Sequence, residues 1–312
     1  MSGTSRFYTT KSLKGQVVLI TGASSGIGEA CAYRFAEQGC KLVLIARRMN
    51  KLEEVKQRCK DEFGTPDADI HLARFDVKDL DKVSCLPRSC HPSVARSIAS
   101  SRTVRPLTRN RPHRLRRPHL RSHPQMDELK ASFPPGFADV DILVNNAGLA
   151  LGRKAAQDNV IADVATMLNT NVAAVMAFAS TFVPGMVERN AGHVVNLSSI
   201  AAHEAYPGGS VYCATKHAVD AFTVSMRHDL VGTQVRVTAI SPGAVRTEFT
   251  LVRLGGDASK EDDFYKGFAP LTAADIADQV LYVTTRPDHV QVGDLISYAT
   301  NQASARDIHK QP

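Results

Sequence analysis

"QVVLITGASSGIGEACAYRFAEQG", residues 16–39, is the stretch on which the fold turns. Its first seven residues are an apolar run closed by Gly22, the size and composition of a fully buried strand. Beyond the glycines, Ile27, Ala30, Cys31 and Phe35 recur at helical spacing, and Gly39 supplies a stop. A buried strand that turns through glycines into an amphipathic helix opens a strand–helix unit of a parallel sheet. The turn itself, "TGASSGIG" (21–28), comprises Gly22, Ala23, Ser24, Ser25, Gly26, Ile27 and Gly28 after Thr21. Glycines there let the chain turn tightly and let backbone N–H groups approach a pyrophosphate at the helix N-terminus, where the dipole favours anions. A glycine trio alone is often only a tight turn; its place between a strand and a helix favours a nucleotide site.

The same alternation runs outward along the chain. "KLVLIA" (41–46), "IHLARFDV" (70–77), "DILVNNAG" (141–148), "HVVNLSS" (193–199), "VRVTAISPG" (235–243) and "DLISY" (294–298) read as six further strands. Helical patterns fill 26–39, 49–63, roughly 155–189 and 212–230. With no internal repeat and no linker between two cores, the expectation is one α/β domain over 1–312. Its core is a doubly wound, Rossmann-type parallel sheet with helices on both faces.

At 312 residues the chain is long enough for a sizeable core, and 43% hydrophobic content suits a globular protein. Uninterrupted apolar runs such as "VVLI" and "KLVLIA" fall short of the roughly 20 residues a bilayer span needs, so no membrane partner is expected. The polar start "MSGTSRFYTTKSLKG" lacks the apolar core of a signal peptide, which points to a cytoplasmic location. Cysteines 31, 40, 59, 85, 90 and 213 show no framework spacing and should stay reduced there. Cys85-x4-Cys90-His91 has no matching second pair, so no metal is expected.

The net charge of +7 resides in one segment. Residues 83–125 hold ten arginines, no lysine and no acid, including "RPHRLRRPHLRSH" (111–123); without them the chain has 28 basic and 31 acidic side chains, a net charge of −3. Nucleic-acid faces mix lysine with arginine on ordered elements. Six prolines among these 43 residues oppose any regular element, so a disordered insert is expected and a nucleic-acid partner is not. The segment reads as a translated, in-frame intron. Val83-Ser84 is compatible with a splice donor and Pro124-Gln125 with an acceptor, and the competing view is a lineage-specific loop. Its removal would join "FDVKDLDK" to "MDELKASF", a helix carrying Leu80, Met126, Leu129 and Phe133.

Three further places carry chemistry. An acid at the end of the second strand would accept hydrogen bonds from the ribose of NAD. Ala46 is followed instead by Arg47 and Arg48, which suit the extra phosphate of NADP; a solvated pair is the alternative. "YCATK" sets Tyr212 and Lys216 four residues apart on one helical face. A nearby ammonium would lower the phenol's pKa from near 10 and fit Tyr212 for proton transfer. Ser199 ends a buried strand where its hydroxyl can face the same cleft, while alternation turns Ser198 away.

"TGASSGIG", "NNAG" (145–148), "NTNV" (169–172), "SS" (198–199), "YCATK" (212–216) and "SPGAVRTEF" (241–249) together resemble the short-chain dehydrogenase/reductase family, over nearly the whole chain. The resemblance implies Tyr212 as general acid/base, Lys216 as its acidifier and holder of the nicotinamide ribose, and Ser199 positioning the substrate oxygen. It implies Asn171 supporting a proton relay through water. Asp76 and Val77 would flank the adenine and Asn146 its ribose. Pro242 to Phe249, with Pro242, Gly243 and Val245 foremost, would lie against the nicotinamide, with Thr247 near its carboxamide or the phosphates. Asn145 is expected to tie strands together.

"NNAGLALG", "PGMVERN", "TEFTLVR" and "NQAS" further resemble the NADP-dependent 3-hydroxy acid dehydrogenases that act on serine and L-allo-threonine. That implies hydride transfer between NADP and C3 of a small 3-hydroxy acid, and a homodimer or homotetramer. Arg253 is the candidate partner for the acid's carboxylate, with a solvated arginine as the alternative. A reductase for another carbonyl compound stays open. A non-catalytic nucleotide sensor is opposed by the presence of Tyr212, Lys216, Ser199 and Asn171 together.

Overall fold

The structure, a computed structural model, describes residues 10–79 and 123–311. The arginine-rich stretch and the Cys85/Cys90 pair lie outside the described residues, save for the end of the stretch from His123.

Seven parallel strands form one sheet: β1 (Val17–Thr21), β2 (Lys41–Ala46), β3 (Ile70–Arg74), β4 (Ile142–Asn145), β5 (Gly192–Leu197), β6 (Val235–Pro242) and β7 (Asp294–Ser297). Their order is β3-β2-β1-β4-β5-β6-β7. β1 is buried on both faces, in register with Leu42 and Ile142 at Val18. Alternation divides its side chains between two cores. Val18 and Ile20 join Leu42, Leu44 and Phe35 on one face, under α1 (Gly26–Glu37), and Leu19 joins Val43, Phe178 and Met186 on the other. This is why strands at the centre read as unbroken apolar runs.

α2 (Met49–Phe63) returns the chain from β2 to β3, and α3 (Pro124–Ala131) precedes β4. Pro124 opens α3 at a first-turn position, so the boundary inferred at Gln125 falls inside a helix. Met126, Leu129 and Phe133 pack into the second core, as their spacing predicts.

The long helical pattern at 155–189 resolves into a 3₁₀ turn at Ala156–Asp158, then α4 (Ile161–Leu168), a π-turn at Asn169–Ala173, and α5 (Ala174–Glu188). This helical run, Ile161–Glu188, is long and apolar enough to cross a membrane, which the strand-sized runs did not anticipate. Its Phe178, Phe182 and Met186 are buried in the core. α6 (Ser210–Asp229) starts two residues before the predicted point.

α7 (Glu248–Arg253), α8 (Ala258–Tyr265) and α9 (Ala273–Thr284) are helices that the sequence pattern did not show. The capping box of Thr272 and Asp275 marks the start of α9. β3 and β4 stop short of the predicted ends, so Asp76 and Asn146 to Gly148 fall in loops at the carboxyl edge, and Val77 opens a 3₁₀ turn, Val77–Asp79. The strand order reverses between β1 and β4, and the crevice at their carboxyl ends is where such sheets hold ligands.

Candidate active site

A cleft of about 430 Å³ opens at that reversal and runs from the glycine turn to α6 and α7. At one end Gly22 (φ +67°) and Gly26 (φ +58°) hold left-handed conformations that side chains resist. Ser25 caps α1 in extended conformation without a side-chain cap bond, so the first-turn N–H groups keep their anion-binding capacity.

Two residues of the turn serve packing. A Cβ on Gly28 would stand 2.4 Å from the Gly22 carbonyl oxygen. Ala23 is fully buried in the core, its N–H donating to the Ile45 carbonyl. Ala23 and Gly28 are not among the residues that line the cleft. Asn146 donates through Nδ2 to the carbonyls of Thr21 (2.9 Å) and Gly22 (3.2 Å), bracing the turn and leaving Oδ1 as its acceptor. Asn145 donates to Asn196 Oδ1 and ties β4 to β5.

Past β2, Arg47 Nη1 lies 3.9 Å from Asp76 Oδ2, and Arg48 bonds to Ser25 and to Glu248 on α7. Asp76 and Val77 line the adjoining wall.

At the other end the structure brings Ser199, Tyr212 and Lys216 together. Tyr212 and Lys216 are one turn apart on α6, both buried, with Nζ 5.8 Å from the ring centroid. Lys216 Nζ donates to the Leu197 carbonyl at 2.7 Å, and burial pulls its pKa down to about 8. Ser199 Oγ accepts from Ala201 N–H and donates to the Pro242 carbonyl at 3.5 Å, and it faces the Tyr212 hydroxyl closely enough to pull that group's pKa down.

Burial pushes the Tyr212 phenol up, and Tyr206 adds to this; Ser199 and then the Arg253 charge pull it down. The strongest downward pulls thus come from Ser199 and Arg253, where spacing had pointed to Lys216.

Asn171 is buried in the π-turn, a device often found at functional sites. Its Oδ1 accepts from Leu149 N–H, and its Nδ2 donates to the Leu149 carbonyl and Thr215 Oγ1. Both amide hydrogens are spent on holding the loop after β4 against α6.

The walls past β6 come from Pro242, Gly243, Val245 and Thr247. Thr247 caps α7 and packs on Gly26, 3.3 Å from where a Cβ would stand. Gln302 Oε1 accepts from Ala244 N–H and closes tightly over Gly243.

Arg253 lies between two tyrosines, 5.5 Å from each of the Tyr206 and Tyr212 ring centroids. Its Nη1 donates to the Tyr206 hydroxyl at 3.0 Å, and its Nε is buried without a partner among the described residues. Sequence reasoning missed Tyr206 and Gln302, while Glu248 and Phe249 (5.5 Å from the Tyr212 ring) fall within the 242–249 stretch expected against the nicotinamide. Only the nearness of Tyr206 to "YCATK" and the place of Gln302 in "NQAS" hinted at those two.

The family model described as short chain dehydrogenase matches residues 16–95 and 108–253. An NADP-dependent 3-hydroxy acid dehydrogenase of Schizosaccharomyces pombe is 34% identical over 300 residues, 96% of this chain and 98% of that protein. A sulfoacetaldehyde reductase of Chromohalobacter salexigens is 37% identical over 287 residues, covering 92% and 94%. The closed form of serine dehydrogenase complexed with NADP+ superposes with a TM-score of 0.75 at 34% identity, over 95% of this chain and all of that one.

Proposed function

Because the chain belongs to the short-chain dehydrogenase family, we propose that it is an NADP-dependent oxidoreductase acting at C3 of small 3-hydroxy acids such as serine, L-allo-threonine or 3-hydroxypropionate. The observation that carries the choice of acid is Arg253, a cation 5.5 Å from the Tyr212 ring whose buried Nε has no partner among the described residues. In a 3-hydroxy acid the carboxyl carbon is two bonds from the reacting carbon. A guanidinium beside the proton donor therefore suits it, and guanidinium binds carboxylate with parallel hydrogen bonds.

The residues present fit the cofactor. The glycine turn offers N–H groups to a pyrophosphate, Arg47 and Arg48 would take the 2′-phosphate, and Asp76, Val77 and Asn146 Oδ1 border the place for adenosine. Lys216 would hold the nicotinamide ribose, with Thr247 near the carboxamide. NADP, when bound, supplies or takes up the hydride at C3.

Tyr212 gives its phenolic proton to the substrate oxygen in reduction and takes it back in oxidation. Burial keeps that proton in place at neutral pH, as a donor requires. Ser199 shares the substrate oxygen with Tyr212, and Asn171 keeps α6 and the loop after β4 in register behind them.

Arg253→Ala tests the reading. KM for a 3-hydroxy acid should rise more than roughly tenfold, in keeping with the loss of charged hydrogen bonds, while KM for an uncharged hydroxy analogue of equal length should hold. Equal losses for both substrates would contradict the carboxylate assignment. The likeness to sulfoacetaldehyde reductase favours one second reading, since a sulfonate presents the same anionic oxygens to Arg253. NADPH oxidation by sulfoacetaldehyde outpacing that by malonic semialdehyde would select it.

A further inference from the structure

Arg48 is already engaged. Its Nη2 lies 2.8 Å from Glu248 Oε2, 2.8 Å from Ser25 Oγ and 3.3 Å from Ser24 Oγ. Two of these acceptors belong to the glycine turn and the third to the first turn of α7, so one nitrogen ties the two walls of the cleft. A guanidinium grips a phosphate with two parallel N–H bonds, from the edge formed by Nε and Nη2 or the edge formed by Nη1 and Nη2. Both edges contain Nη2, which has only two hydrogens. With Ser25 and Glu248 on it, neither edge is complete.

A phosphate can therefore take Arg48 in two-pronged fashion only by displacing one of them. The carboxylate is the group that a phosphate both repels and replaces in kind. The Arg48 hydrogen bond holds Glu248 below the usual carboxylate range, so the competing charge is present at neutral pH.

We infer that Glu248 is a specificity-setting residue: it competes with the 2′-phosphate for Arg48, and NADP binding exchanges the Arg48–Glu248 pair for an Arg48–phosphate pair. The inference rests on the assignment of Arg48 to that phosphate. NAD has no group to make the exchange and leaves the pair intact. Glu248 opens the helix that carries Phe249 and Arg253, so the exchange also removes a restraint on the element facing Tyr212.

Titration calorimetry on Glu248→Gln, Glu248→Ala, Arg48→Ala and the Glu248→Gln/Arg48→Ala pair tests this, with NADP+, NAD+, 2′,5′-ADP and 5′-AMP as probes. Both residues are about half exposed, so effects of a few-fold are expected. Either Glu248 variant should bind NADP+ and 2′,5′-ADP roughly two- to fivefold tighter, with NAD+ and 5′-AMP unchanged. In the Arg48→Ala background the Glu248 change should add nothing. Weaker NADP+ binding, or an equal gain for 5′-AMP, overturns the competition. If Arg48→Ala leaves 2′,5′-ADP affinity intact, the phosphate assignment falls and the competition with it. If Arg48→Ala weakens 2′,5′-ADP but both Glu248 variants are silent, the competition alone falls. Melting curves establish that each variant is folded.

Discussion

Lys216→Met should raise the stability of this protein while removing its activity. The ammonium is buried, and burial brings its pKa from 10.5 to about 8. At 1.36 kcal/mol per pH unit, holding that charge inside the fold costs about 3 kcal/mol at neutral pH. Methionine fills the space of the lysine stem without the charge, but strands the Leu197 carbonyl that Nζ now serves, at a cost of about 1 kcal/mol. The net gain is about 2 kcal/mol, or roughly 3 °C in Tm for a chain of this size.

The pH dependence has a definite sign. Between pH 8 and 10.5 the unfolded chain holds this proton more tightly than the folded one, so parent stability rises with pH across that window. The methionine variant gains nothing there, and its advantage should shrink to zero or reverse by the upper end. Thermal melts followed by circular dichroism without nucleotide, from neutral pH to above 10, read both effects. A variant less stable than the parent at neutral pH, or a difference that pH does not move, would refute the argument.

Tyr212→Phe is expected to bind NADPH like the parent and to lose turnover by at least a hundredfold or so, the usual scale for a general acid; activity within about tenfold of the parent would contradict its role. Arg47→Asp with Arg48→Ala should cut kcat/KM for NADP+ at least roughly tenfold and erase or reverse the preference over NAD+, as loss of charged hydrogen bonds demands. Removal of residues 83–125 should leave stability and turnover at or above the parent's, because Met126, Leu129 and Phe133 still anchor the helix before β4. Transcripts across the junction should mostly lack the segment; if all carry it and the deletion fails to fold, it is a structural element.

The sheet was legible because burial on both faces writes each strand as an apolar run; β1 and β2 match their readings to within a residue or two. The helices of the substrate side were not, since α7 and α8 are short and bury few side chains, which leaves little periodicity to read. Tyr212, Lys216 and Ser199 converge as their spacing suggested, because one helical turn and one strand end fix them.

What spacing could not express is which atoms are already engaged. The Asn146 amide is committed to backbone carbonyls and that of Asn171 to Leu149 and Thr215, a Cβ at position 28 would strike the Gly22 carbonyl, and Arg48 is shared with Glu248 some 200 positions along the chain. The acidifying pull of Arg253 on Tyr212 depends on the loop carrying Tyr206, and no local pattern announces it.

The central claim is hydride transfer from C3 of a small 3-hydroxy acid to NADP+, and isotope transfer tests it most directly. Purified full-length protein is incubated with NADP+ and serine, or 3-hydroxypropionate, carrying deuterium at C3, and the nucleotide is analysed by mass spectrometry. NADPH that carries one deuterium, formed by the parent and not by Tyr212→Phe, is the predicted result. NADPH without deuterium, or no reduced nucleotide from any 3-hydroxy acid, would contradict it.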